Sequence, residues 1–85
     1  MNVNVIRVRD KRRGDRITGS MVCQKVREIQ PGQPLSRTRL SDIERGYVVP
    51  GEEEISVIDA AIDSLIDARK ALEHMAAEVG WPGAI

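Results

Sequence analysis

The chain has 85 residues, of which 41% are hydrophobic, and it contains no phenylalanine, one tyrosine and one tryptophan. This length predicts a single small domain with a core of aliphatic side chains. The single cysteine, Cys23, excludes an internal disulfide, and no apolar run approaches the roughly 18 residues of a membrane span. No signal peptide opens the sequence, so we expect a cytoplasmic protein.

The two halves of the chain have opposite charge. Residues 1–49 contain 11 Lys/Arg and 5 Asp/Glu, a net charge of +6, whereas residues 50–85 contain 2 and 8, a net charge of −6. A basic half can bind phosphate while an acidic half is repelled by it. The alternative is that the charges are separated by chance.

The first 20 residues are basic and rich in β-branched side chains. The alternation over Val3–Val8 predicts a strand, and Gly14 and Ile17–Val22 predict a turn and a returning strand, which together make a short hairpin. Six positive charges between Arg7 and Arg16 indicate an arm that grips phosphates or enters a minor groove. The alternative is a solvated loop. The predicted DNA contacts in this arm are Arg12, Arg13 and Arg16.

A helix is predicted from Met21 to Gln30, because Val22, Val26 and Ile29 share one face. Cys23 lies off that face, and we interpret it as a small space-filling residue. The segment Pro31–Pro34 cannot continue a helix and predicts a turn.

The next predicted helix is short and has clear end signals. Ser36 is a good N-cap, and Gly46 can adopt the left-handed conformation that ends a helix. Leu40 and Ile43 lie three residues apart and anchor one face. The opposite face carries arginines and small hydroxyl side chains, which suits a DNA groove.

The run Leu-Ser-Asp-Ile-Glu-Arg-Gly at 40–46, with Pro50 and then Ile55, Ile58 and Ala61, resembles the lambda-repressor/Cro-like helix-turn-helix family. The resemblance covers residues 35–65, and residues 21–34 lack the family's Leu-Ala pair and single turn glycine in register. It implies a mainly α fold with the helix-turn-helix in residues 21–50. It also offers a first helix over residues 3–13 as the alternative to the N-terminal strand.

The resemblance implies a sequence-specific regulator that binds double-stranded DNA as a homodimer on a palindromic operator. The helix from Ser36 to Arg45 would enter the major groove. Arg37, Thr38 and Arg39 are the expected base-reading residues. The residues expected to position the DNA backbone are Ser36, Ser41, Arg45 and the basic arm. Small members of the family include phage repressors, controllers of restriction–modification genes and antitoxins, and the sequence does not choose among them.

The last segment, residues 51–80, predicts one long helix. Three glutamates at 52–54 suit its N-terminus, and it should run to about Val79. A helix of this length exceeds what so small a domain can cover, which favours dimerisation; the alternative is a bend near 67–69 that makes two helices within a monomer. The residues predicted to form the dimer contact are Ile58, Ile62, Leu65, Leu72, Met75 and Val79.

Asp59, Asp63 and Asp67 recur every four residues on this helix and predict a solvated acidic face. A second function follows from it: an antitoxin or phage-encoded inhibitor whose acidic helix binds a partner protein. His74 stands without other clustered ligands, so we expect neither a metal site nor a cofactor. No nucleophile–base arrangement or phosphate loop is evident, and an enzyme is not predicted.

Overall fold

The computed structural model describes residues 3–78 and contains four α-helices. They are α1 (Val3–Gly14), α2 (Gly19–Ile29), α3 (Arg37–Arg45) and α4 (Glu52–Glu78). No strand occurs within residues 3–78, and the predicted mainly α class is confirmed. No helix in this range is both long and apolar enough to cross a membrane.

The predicted N-terminal strand and hairpin are wrong, because residues 3–14 form α1. Val5 and Val8 are each 3% exposed and lie three residues apart, on one helical face. In a strand the same two side chains would point to opposite faces. Burial of both valines against the core therefore outweighs the weak β-propensity of the segment.

α2 begins two residues before the predicted start, at Gly19, because Thr18 caps it. The Thr18 hydroxyl accepts a hydrogen bond from the Met21 amide at 3.2 Å. Val22 and Val26 are buried as predicted, but Ile29 is 43% exposed. Cys23 takes its place in the core and fills space there, as interpreted from the sequence.

The predicted ends of α3 are confirmed. The Ser36 hydroxyl accepts from the Arg39 amide at 3.0 Å, and Gly46 has a left-handed conformation with φ 84°. Leu40 and Ile43 are buried. The helix therefore has a fixed start, a fixed end and a fixed inner face.

The prediction of a single long C-terminal helix is confirmed over its described length. α4 is continuous for 27 residues, which corresponds to about 40 Å at 1.5 Å per residue. Ile58, Ala61, Ile62 and Ile66 pack into a core that receives side chains from all four helices. Beyond Ile66 the helix projects away from that core, and residues 67–75 are mostly exposed.

Two residues of the predicted dimer contact belong to the core of one chain. Ile58 and Ile62 are 1% and 0% exposed within a single copy, so a second copy has no access to them. Leu65 is half-buried against the same core. Leu72 and Met75 remain 65% and 60% exposed, and Val79 lies outside the described residues.

Candidate nucleic-acid interface

The outer face of α3 follows from which of its side chains are buried. Leu40, Ile43 and Glu44 point inward, and at 3.6 residues per turn the opposite side is centred on Thr38, Asp42 and Arg45. Thr38 and Arg45 are exposed, and Asp42 and Ser41 are half-buried. The face thus offers a hydroxyl, a carboxylate and a guanidinium side by side.

Arg37 lies at the start of α3, on the flank that faces α2. Its charge, with those of Arg27 on α2 and Arg12 on α1, acts on the buried Cys23 thiol. Burial is the largest effect and raises the pKa of Cys23, while the three guanidinium groups oppose it. Three helices therefore bring positive charge to one corner, and Arg27 and Arg37 are both exposed there.

Arg39 lies on the other flank of α3, towards α4. Its Nε donates to Glu54 Oε2 at 2.7 Å and its Nη2 donates to Glu54 Oε1 at 2.8 Å. This bidentate pair lowers the pKa of Glu54 and raises that of Arg39, chiefly through the hydrogen bonds between them. The three predicted base-reading residues therefore differ in their surroundings. Arg39 is paired with Glu54, whereas Arg37 has no ion-pair partner among the described residues and the Thr38 side chain is uncharged and exposed.

Arg12 was predicted to contact DNA, but the structure places it in the interior. Its Nη2 lies 2.6 Å from Glu44 Oε1, its Nε lies 2.7 Å from Glu44 Oε2, and its Nη1 donates to the Ile17 carbonyl at 2.9 Å. The two side chains are only 14% and 11% exposed. Arg12 therefore joins α1 to α3, and its guanidinium is bound within the fold and is not available for the predicted DNA contact.

The acidic face predicted on α4 is not simply solvated. The Lys11 ammonium binds both Asp59 and Asp63, and Arg7 lies 3.5 Å from Asp59. Burial alone would raise the pKa of Asp59, but its hydrogen bonds and charge interactions with Lys11 and Arg7 lower it overall. The pKa of Lys11 is raised. Burial alone would lower it, but the hydrogen bonds and charge interactions with the two carboxylates outweigh that effect. Asp67, the third member, is exposed.

Arg13 and Arg16 lie at the corner between α1 and α2. Both are exposed, and neither forms an ion pair with a residue in the range 3–78. Arg16 has a positive φ of 58°, unusual for a residue other than glycine, and the neighbouring Asp15 is held by Arg69 of α4 at 2.8 Å. Of the predicted basic arm, this corner is the part that can still reach a phosphate.

Two residues of this surface, Arg27 and Asp42, are not among the predicted DNA contacts, although the sequence places Asp42 on the outer side of its helix. Arg27 lies beside the buried stripe of a predicted helix, so its exposure could have been deduced. Asp42 is four residues after Thr38, a spacing that places both on one face. Both signals were available in the helical periodicity.

No family model, no curated protein and no solved structure matches this chain.

Proposed function

We propose that this protein is a sequence-specific double-stranded DNA-binding protein that regulates transcription, and that α3 is its recognition helix in a lambda-repressor-like helix-turn-helix. The observation that carries the proposal is the exposed side of α3. Arg37 and Arg45 are exposed without ion-pair partners among the described residues, and the Thr38 hydroxyl is exposed beside them, while most other basic side chains in residues 3–78 are paired. Free cations on an anchored helix are what a groove lined by phosphates attracts.

The dimensions and chemistry of α3 fit a major groove. An α-helix with its side chains is about 10–12 Å in diameter, and B-DNA offers a major groove about 12 Å wide. Arg37 can donate to guanine O6 and N7, Thr38 can contact a thymine methyl group, and the Asp42 carboxylate can accept from cytosine N4. Ser36, Ser41 and Arg45 on α3, with Arg13 and Arg16 at the α1–α2 corner, would position the phosphate backbone.

The alternative function, in which the acidic face of α4 binds a partner protein, receives less support. Two of its three aspartates, Asp59 and Asp63, already bind cations of α1 in the same chain. Charge reversal at either residue would disturb the fold before it disturbed a partner. A partner protein would find only Asp67 of that stripe unpaired among the described residues.

The experiment that tests the proposal is selection of bound duplexes from a random-sequence library, followed by titration of the selected duplex at several salt concentrations. We expect enrichment of one motif and binding that weakens as salt increases, with a slope of about −0.9 per phosphate contacted. Equal, weak binding to the selected duplex and to the unselected library would refute sequence recognition. Arg37→Ala should relax the preference at the base pair that Arg37 contacts, with Lys70→Ala on α4 as a control of equal charge.

We further propose that two copies act together through the projecting end of α4. Leu72 and Met75 lie three residues apart on one face and are 65% and 60% exposed. A helix without a partner is marginal in water over so few turns, and a second copy would cover both side chains. Such a pair would present two recognition helices to two half-sites of a palindrome.

Analytical ultracentrifugation tests this part. The Leu72→Glu, Met75→Glu double variant should sediment as a monomer at concentrations where the unmodified protein is a dimer. Val49→Glu is the matched control, because Val49 is 80% exposed but lies between α3 and α4. A double variant that sediments like the unmodified protein would remove α4 from the dimer contact.

A further inference from the structure

The backbone of α3 packs closely on α1 and α2 but hardly on α4. A cleft of about 320 Å³ separates the first turns of α4 from Arg39 of α3, the loop before α3 and the end of α2, and its wall includes Leu35, Val57 and Ile58. Arg39 and Glu54 also line it, one from each helix. Within residues 3–78, the two hydrogen bonds between Arg39 and Glu54 are the only side-chain hydrogen bonds between α3 and α4.

The pair also sets the charge beside the proposed DNA surface. Glu52, Glu53 and Glu54 fill the first turn of α4, where the helix dipole stabilises negative charge. Arg39 neutralises Glu54, the one of these three carboxylates that forms an ion pair with α3. Without Arg39, the uncompensated Glu54 would repel phosphates of a duplex bound to α3.

The guanidinium of Arg39 is directed to α4 and away from the face of α3 that carries Thr38 and Arg45. Two of its five N–H groups are bound by Glu54. A base reader aims a bidentate edge into the groove, whereas the Nε–Nη2 edge of Arg39 is held towards α4. The arrangement suits a connection between helices better than a contact with a base.

We infer that Arg39 is a positioning residue that supports DNA binding through Glu54, by bridging the α3–α4 cleft and neutralising the carboxylate there, and that it does not read a base. The inference rests on the proposed DNA-binding function and replaces the sequence-based assignment of Arg39 to base readout. It makes Glu54 a determinant of DNA affinity although it lies outside the recognition helix.

A double-mutant cycle tests the inference on two duplexes, the one selected from the random library and the unselected library itself. Arg39→Ala should weaken binding to both about tenfold, because a like charge is now exposed beside the phosphates. Adding Glu54→Ala should restore affinity to within about threefold of the unmodified protein, since the double variant lacks one charge of each sign. Its salt slope should equal that of the unmodified protein, because the same phosphates are bound in both.

Arg37→Ala provides the matched control, since Arg37 is exposed on the same helix and has no ion-pair partner among the described residues. Adding Glu54→Ala to Arg37→Ala should not restore the preference for the selected duplex over the library, although the freed Arg39 charge should strengthen binding to both duplexes. Circular dichroism checks the fold of each variant. If Arg39→Ala does not fold, the affinity of the Arg39→Ala, Glu54→Ala variant relative to the unmodified protein still shows whether the Arg39 side chain itself is needed for DNA binding.

A double variant as weak as Arg39→Ala would overturn the inference and return Arg39 to direct contact. Loss of binding to the selected duplex alone, with the library unaffected, would do the same and identify a base reader. Unmodified protein that shows no salt-dependent binding to either duplex would overturn the proposed function, and the inference with it.

Discussion

α1 and α3 are both rich in basic residues, but their positive charges have different surroundings. On α1, Arg7 and Lys11 bind aspartates of α4, and Arg12 binds Glu44 of α3. On α3, Arg37 and Arg45 are exposed and lack such partners within residues 3–78. The density of positive charge in a sequence therefore does not measure the charge available to a ligand. The available charge depends on whether the fold places an acidic side chain beside each basic one.

The largest expected effect tests the structural side of this comparison. Arg12→Ala should lower the free energy of unfolding by about 3 kcal/mol, because it leaves the Glu44 carboxylate buried without its partner. Urea denaturation measures the change. Arg13→Ala, one position along the same helix and exposed, should change it by less than about 0.5 kcal/mol.

The converse substitution sharpens that test. Arg12→Met combined with Glu44→Leu removes both charges and should recover most of the stability, since a buried pair gives little net gain over apolar side chains. If Arg12→Ala and Arg13→Ala cost the same, α1 has no special buried charge and the contrast with α3 fails.

How far the sequence predicted this contrast depends on the range of each interaction. Local signals located α3: Ser36, Gly46 and the Leu40–Ile43 face are all within one helix, and each had its predicted role. The glutamates at 52–54 likewise marked the start of α4. By contrast, the partners of the α1 cations are remote in sequence, at separations of 32 residues for Arg12–Glu44 and 48 for Lys11–Asp59. Periodicity within a segment cannot reveal such pairs.

For a related reason the residues of α1 favour a strand in the sequence, and the helix over residues 3–13 is only the alternative that the resemblance offers. Its valines favour a strand locally, and only the core formed with α2 and α4 makes the helix the better solution. One signal for α2 was present but overlooked. Thr18 is a good N-cap residue, and its hydroxyl accepts from the Met21 amide at the start of α2.

The second prediction concerns DNA. Arg37→Ala should weaken binding to the selected duplex by about 1–3 kcal/mol, the usual discrimination of a bidentate arginine–guanine contact. Arg7→Ala removes the same charge from α1 and should leave the affinity nearly unchanged, because Arg7 binds Asp59. Fluorescence anisotropy at one fixed salt concentration measures both. Equal losses in the two variants would show that net charge, and not the location of the arginine, governs binding.

The third prediction concerns the α1–α2 corner, where two cations of the basic arm remain unpaired among the described residues. Arg13→Gln with Arg16→Asn should reduce the salt slope by about 0.9 for each phosphate that the variant no longer binds, without altering the selected motif. Asparagine is chosen at position 16 because it tolerates the left-handed conformation of Arg16. A change in the selected motif would instead place this corner on base edges.

The smallest expected effect concerns pH. Because the pKa of Asp59 is lowered in the folded protein, its ionised form stabilises the fold above the ordinary carboxyl value of about 4, and that contribution is lost as the pH falls through the lowered value. Asp59→Asn should therefore reduce stability by about 0.5–1 kcal/mol at pH 7 and make the acid-induced loss shallower. Urea midpoints at pH 7, 5 and 3 measure this. Asp67→Asn, on the same stripe but exposed, should change the stability at pH 7 by less than about 0.5 kcal/mol. Identical curves for the two variants would mean that the aspartates of α4 are equally solvated, and that the cations of α1 are as free to meet DNA as those of α3.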